Sequence, residues 1–122
     1  MNNRIDNKEL RWIVFNKYDG HCAYCGVELS DRFTIDHLIP KRRWNTDLPH
    51  GDSKLYNYMP CCQSCNSGKN SFELEDWRIF IKNRFNVLLR DSSQFRSLLR
   101  FGIINRTEND VIFYFEKHGG IK

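Results

Sequence analysis

Cys22-Ala-Tyr-Cys25 and Cys62-Gln-Ser-Cys65 are two Cys-x-x-Cys pairs, and each pair can bring two thiolates to one ion from a single turn. Together they supply the four soft ligands of a tetrahedral zinc ion, so Cys22, Cys25, Cys62 and Cys65 are read as a structural zinc site. The interval between the pairs is longer than a plain zinc ribbon carries. It holds Thr34-Ile35-Asp36-His37-Leu38-Ile39-Pro40, an apolar run interrupted by an acid and an imidazole. A tetrahedral site has no need of that Asp-His, nor of Asn66 directly after the last cysteine. The expectation is a division of labour, in which the cysteines build a scaffold and Asp36, His37 and Asn66 do chemistry on it.

Cys61 adjoins Cys62, but only Cys62 has the two-residue spacing to Cys65, so Cys61 is left as a small buried or semi-exposed thiol. His21 is a further candidate ligand, unneeded beside four cysteines. Ordinary core cysteines or a redox dithiol are the competing readings, and a zinc content near one ion per chain would remove them. Five cysteines without an N-terminal apolar segment point to a reducing compartment, where metal is favoured over disulfides.

In combination these motifs resemble the HNH endonuclease family in its zinc-containing, ββα-metal form. The resemblance rests on Cys22-x-x-Cys25, Asp36-His37-Leu38-Ile39-Pro40-Lys41, Asn57, and Cys62-x-x-Cys65-Asn66-Ser67-Gly68-Lys69. It covers about residues 12 to 78. It implies an α+β fold, a small treble-clef-like zinc domain with an N-terminal helix and added C-terminal helices and strand. It implies His37 as general base, Asp36 as a ligand of a catalytic divalent cation, and Asn57 as a brace of the loop. The last position, histidine in some members, is Asn66 here, which matches the subgroup with asparagine as second metal ligand. An amide oxygen is a hard ligand, suited to Mg²⁺ or Mn²⁺. The implied reaction is hydrolysis of DNA to 5′-phosphate and 3′-hydroxyl ends. Short chains of this family often occur in phage and bacterial genomes, which places the expected activity in the cytoplasm of a bacterium or an infected host.

The chemistry of the residues agrees. Phosphodiester hydrolysis needs an activated water and a cation to neutralise charge as the transition state forms. An imidazole titrating near about pH 6.5 can take a proton from water. Two oxygen ligands leave the other positions of an octahedral ion to waters and substrate. Lys41, Arg42 and Arg43 follow the segment that carries His37 and are expected at the scissile phosphate, with Lys69 a further candidate. Trp44 could stack on a base or anchor the loop. A non-catalytic zinc module that binds nucleic acid or protein is the alternative function, and the residues leave monomer and homodimer both open.

The elements that must position these groups are partly legible. Asp6 with Glu9, then Leu10, Ile13, Val14 and Tyr18, predict a helix over about 7–18. Cys22 to Gly26 reads as a tight knuckle, and Phe33 to Ile39 as a strand stopped by Pro40. Residues 40–58 form an irregular loop. A short helix follows from Cys62 to about Asn70. If Cys65 is pinned to zinc, Asn66 projects about 100° further round that helix, toward the strand. Leu74, Trp77, Ile81, Phe85 and Leu88 hold helical spacing, and Ser92 or Ser93 caps another helix that Gly102 stops. Val111 to Phe115 reads as a strand, with Ile103-Ile104 able to pair with it.

The chain of 122 residues is sized for one domain, with the motif-bearing core at about 12–78 and an extension at about 79–122. Hydrophobic residues make up 40%, a lean core of the kind a structural metal supports. Nineteen Lys and Arg against 15 acids permit a polyanionic partner without demanding one. No apolar run reaches the length of a membrane span, so no membrane partner is expected.

Overall fold

The computed structural model describes residues 7–41, 51 and 53–122. The chain divides into two compact units, one holding the chain up to Leu74 together with Ile112–Lys122, the other Glu75–Val111. Among the described residues no helix is long and apolar enough to cross a membrane.

The first unit begins with α1 (Lys8–Phe15), whose N-cap Asn7 accepts hydrogen bonds from the Glu9 and Leu10 amides. A 3₁₀ turn, Asn16–Tyr18, ends at Asp19 in the left-handed region. The knuckle follows. Its chain reverses through Cys22 N–H to Val27 O (2.8 Å) and Gly26 N–H to Cys22 O (3.0 Å). Gly26 has φ +83°, and a Cβ there would stand 2.4 Å from the Tyr114 ring, so both conformation and space require glycine.

Strand β1 (Thr34–His37) pairs antiparallel with β2 (Tyr58–Cys61), in a register that sets Asp36 opposite Met59 and His37 opposite Tyr58. A 3₁₀ turn, Leu55–Asn57, feeds β2. The sequence gives little sign of β2, because Pro60 lies inside it. A two-stranded sheet leaves one side of each strand unpaired, and the Pro60 carbonyl instead accepts the Ala23 N–H at 2.8 Å. That bond ties the knuckle to the sheet. Helix α2 (Gln63–Lys69) starts where the second cysteine pair begins, with the Cys62 sulfur accepting from the Cys65 amide.

The last residues close this unit. Val111 to Phe115, expected as a strand, is extended only as far as Phe113 and then turns into α5 (Tyr114–Lys117). The Phe113 amide donates to Glu116 Oε1, and the Tyr114 and Phe115 amides donate to the Tyr24 and Ala23 carbonyls. The backbone thus finds its partners on the knuckle and needs no neighbouring strand. Phe113 and Phe115 are buried against Tyr24. Ile103-Ile104 forms a bend rather than a strand.

The second unit is helical. Helix α3 (Leu74–Asp91) leads to α4 (Ser93–Arg100), capped by Ser92 and followed by Gly102 at φ +71°. Phe85 and Phe95 meet edge-to-face, with centroids 5.0 Å apart. Arg78 donates to the Val111 carbonyl and Lys82 pairs with Asp110.

Candidate active site

The four cysteines of the two pairs converge. The sulfur atoms of Cys22, Cys25, Cys62 and Cys65 all lie within 4.8 Å of one another, and those of Cys25 and Cys62 are 3.8 Å apart. A tetrahedron with Zn–S bonds of about 2.3 Å has edges of about 3.8 Å, so the donor set fits a zinc ion by chemistry and by spacing. Cys22 contributes the readiest thiolate: its side-chain bonds with Cys61, then with Cys65, lower its pKa. The same bonds push the Cys61 and Cys65 thiols up. Cys61 lies outside the tetrad, fully buried at the end of β2. His21 also lies outside it, with its ring stacked on Tyr114.

Asp36 stands in β1 and is 8% exposed. Its Oδ2 accepts the Tyr24 hydroxyl at 2.6 Å and pairs with the Lys69 ammonium at 3.0 Å. Both contacts fall on the same oxygen, which leaves Oδ1 as the oxygen to offer a metal ion. Burial, then the charge of Asp36, raises the Tyr24 pKa well above the ordinary phenol value, so the hydroxyl stays a donor.

His37, next in the strand, presents its ring edge-to-face to Tyr58, with centroids 5.3 Å apart. Its carbonyl accepts from the Lys69 ammonium at 3.0 Å. One lysine of α2 therefore holds the side chain of Asp36 and the backbone of His37 together.

Asn57 is fully buried and clamps the chain just after His37. Its Oδ1 accepts from Ile39 N–H at 2.8 Å, its Nδ2 donates to Ile39 O at 3.1 Å, and its carbonyl takes the Leu38 amide. Asn66 is half-buried in the middle of α2, one residue after Cys65 and three before Lys69, so it shares a helical face with Lys69.

The basic residues expected at the phosphate divide. Lys41 donates to Ser53 Oγ at 2.7 Å at the mouth of the loop. Arg42, Arg43 and Trp44 lie outside the described residues. Lys69, expected at the phosphate, is 0% exposed and spends its ammonium on Asp36 and the His37 carbonyl, a placement that does not suit substrate contact. The reason is its position four residues after Cys65, on the side of α2 that packs on β1. That spacing was the available signal. Tyr24 was missed altogether, since nothing in Cys22-Ala-Tyr-Cys25 says where the phenol points.

The comparisons bear on the family and the fold. The family model described as HNH endonuclease matches residues 22–72. The chain is 30% identical over 73 residues to the SPbeta prophage-derived YoqL of Bacillus subtilis (strain 168), whose name classes it with the HNH endonucleases. The match takes in 57% of this chain but only 32% of that relative. Among solved structures, the chain is similar to the Type II-C Cas9 enzyme from Actinomyces naeslundii, with a TM-score of 0.51 and 17% identity. That likeness covers 89% of this chain and 14% of the other, and at this identity it speaks for the fold alone. Two antiparallel strands, a helix after the second cysteine pair and a converged cysteine tetrad make residues 22–72 an HNH-family domain of the zinc-type ββα-metal fold.

Proposed function

We propose that this chain is a metal-dependent endonuclease that hydrolyses DNA phosphodiester bonds, with His37 as general base. The carrying observation is the junction at Lys69, which ties α2, the helix that carries Asn66, to the Asp36 carboxylate and the His37 carbonyl of β1. Asp36, through Oδ1, and Asn66 would hold a Mg²⁺ or Mn²⁺ ion, and that ion when bound would neutralise charge on the scissile phosphate. The zinc ligands take no part in the reaction and fix where α2 begins. His37 accepts a proton from the attacking water, its strand held by Lys69 and the following turn by Asn57. Lys41, Arg42 and Arg43 are proposed to contact the phosphate backbone, and the products carry 5′-phosphate and 3′-hydroxyl ends.

A second reading has its own observation: Asp36 is already neutralised by a buried lysine, as a purely structural acid would be. In that case the domain is a zinc module that binds nucleic acid or protein without cutting. Plasmid nicking with Mg²⁺ or Mn²⁺ separates the two. His37→Ala should lower the rate by about 10²-fold or more while zinc content and melting temperature persist. A wild-type protein that never nicks under either metal, or a His37→Ala variant that nicks equally well, overturns the nuclease reading.

A further inference from the structure

We infer that Lys69 balances the charge of the cation site, so that a divalent ion binds weakly to the free protein and firmly only when a phosphodiester brings its own negative charge. The inference rests on the reading that Asp36 takes the catalytic ion, and it adds what decides when that ion binds.

The groups around Asp36 set the charge. The carboxylate carries one negative charge, and the Lys69 ammonium, 3.0 Å from Oδ2 and without solvent exposure, cancels it. Tyr24 donates to the same oxygen as a neutral phenol, and its ring lies 6.0 Å from the Lys69 nitrogen. Asn66 would add a neutral amide oxygen. A dication approaching Oδ1 therefore meets a pair of zero net charge, with the ammonium just behind the carboxylate. Two like-signed ions a few ångströms apart, in a site largely closed to water, repel more strongly than they would in bulk solvent.

Lys69 cannot easily withdraw. Leaving would strip Asp36 Oδ2 and the His37 carbonyl of a partner and take the anchor of α2 from β1. The negatively charged substrate of the proposed reaction supplies further negative charge beside the neutral pair. Metal and DNA then bind with positive coupling, each raising the affinity of the other by one and the same factor.

The test is a Mn²⁺ titration of the zinc-loaded full chain, read by the electron paramagnetic resonance of free Mn²⁺ at mildly alkaline pH. His37→Ala serves as background so that DNA stays intact, and Asp36→Asn on that background identifies binding that depends on Asp36. Duplex DNA should tighten Asp36-dependent Mn²⁺ binding by about tenfold or more. Lys69→Met on the same background should tighten it by a similar factor without DNA and shrink the gain from DNA. A lysine that only packed the helix would, when removed, weaken binding.

Asp36-dependent binding that DNA leaves unchanged overturns the inference, and so does weaker or equal binding in Lys69→Met with its zinc intact. If Lys69→Met loses zinc, the DNA arm alone decides. Absence of Asp36-dependent Mn²⁺ binding in every arm, DNA included, overturns the metal reading of Asp36 and this inference with it.

Discussion

The domain holds a cysteine tetrad of metal-binding type and an acid group proposed to take a second ion, and they are built on opposite plans. The cysteine tetrad presents four alike donors, two from each knuckle, whose sulfurs close on a single point. Only a cation there relieves their mutual repulsion once they ionise, so binding energy and folding energy are the same quantity. Asp36 is instead one carboxylate whose charge the chain itself cancels through Lys69, with the Tyr24 hydroxyl donating to the same oxygen. The first group is incomplete without its metal and bears on stability. The second is settled without one, a condition for letting an ion come and go.

The two are joined. Tyr24 lies between the cysteines of the first knuckle, and Lys69 lies four residues beyond the last cysteine. Each knuckle thus sends one side chain to the same oxygen of Asp36.

The largest effect expected is removal of the tetrad's ion. Chelation, or Cys65→Ser, should abolish the cooperative unfolding of the first unit, since structural zinc contributes on the order of 10 kcal/mol in small domains. Near-ultraviolet circular dichroism with a zinc assay reads it out. Metal-free protein that melts within a few degrees of the holo form breaks the comparison at its root.

Next in size is Asn57→Ala, which strips the Ile39 amide and carbonyl of their side-chain partner inside the protein. Urea unfolding should show a loss of about 2–4 kcal/mol with the zinc content unchanged. Loss of zinc in this variant would mean that the supports of the acid group and of the tetrad are one unit rather than two.

Lys17 sharpens the contrast with Lys69, because it too is a buried lysine but has no acid partner among the described residues. Its ammonium donates to the Leu55 and Tyr58 carbonyls, at the turn that feeds β2. Burial pushes its pKa from the ordinary 10.5 to about 8. Between those values the unfolded chain binds more protons than the folded one, so stability should rise with pH across that window, the cost being full below about 8. The difference in unfolding free energy between wild type and Lys17→Met should shift in favour of wild type by up to roughly 3 kcal/mol from pH 8 to 10.5. A flat difference across that range would mean that the two carbonyls keep Lys17 charged in the folded chain.

The legible parts of the fold follow from groups whose chemistry is local. The cysteine spacing gave the knuckles, Ser92 sits as a helix cap, and the apolar spacing from Leu74 to Leu88 falls in one helix, whereas α1 is capped by Asn7 rather than by the expected Asp6. What could not be read depends on contacts distant in sequence. Strand β2 was hidden because Pro60 argues against a strand, and its carbonyl is used by the Ala23 amide, brought there by the fold. Phe113 and Phe115 alternate as strand residues do, but their alternation serves packing around Tyr24. Lys69 is expected at the phosphate, and its buried place follows from a partner distant in sequence, Asp36 of β1.

Tyr24→Phe should have the smallest effect, and it probes the join between the two groups directly. The substitution removes one hydroxyl and keeps the ring that packs on Phe113 and Phe115. Asp36 keeps Lys69, so no charge is left without its counter-charge. The loss is therefore one hydrogen bond to a charged acceptor, about 1.5 kcal/mol by denaturant unfolding, with zinc content unchanged. Because burial holds the Tyr24 pKa well above the ordinary value, the phenol does not ionise in the working range, and the loss should not vary with pH there. A loss well above about 3 kcal/mol, or partial loss of zinc, would show that the carboxylate helps to hold the knuckle in place. Tetrad and acid would then be a single cooperative cluster. No loss at all would leave Lys69 as the anchor of Asp36, with the first knuckle bearing on the acid through the ring at position 24 beside Lys69 and the backbone bond from Ala23 to Pro60 rather than through a hydroxyl.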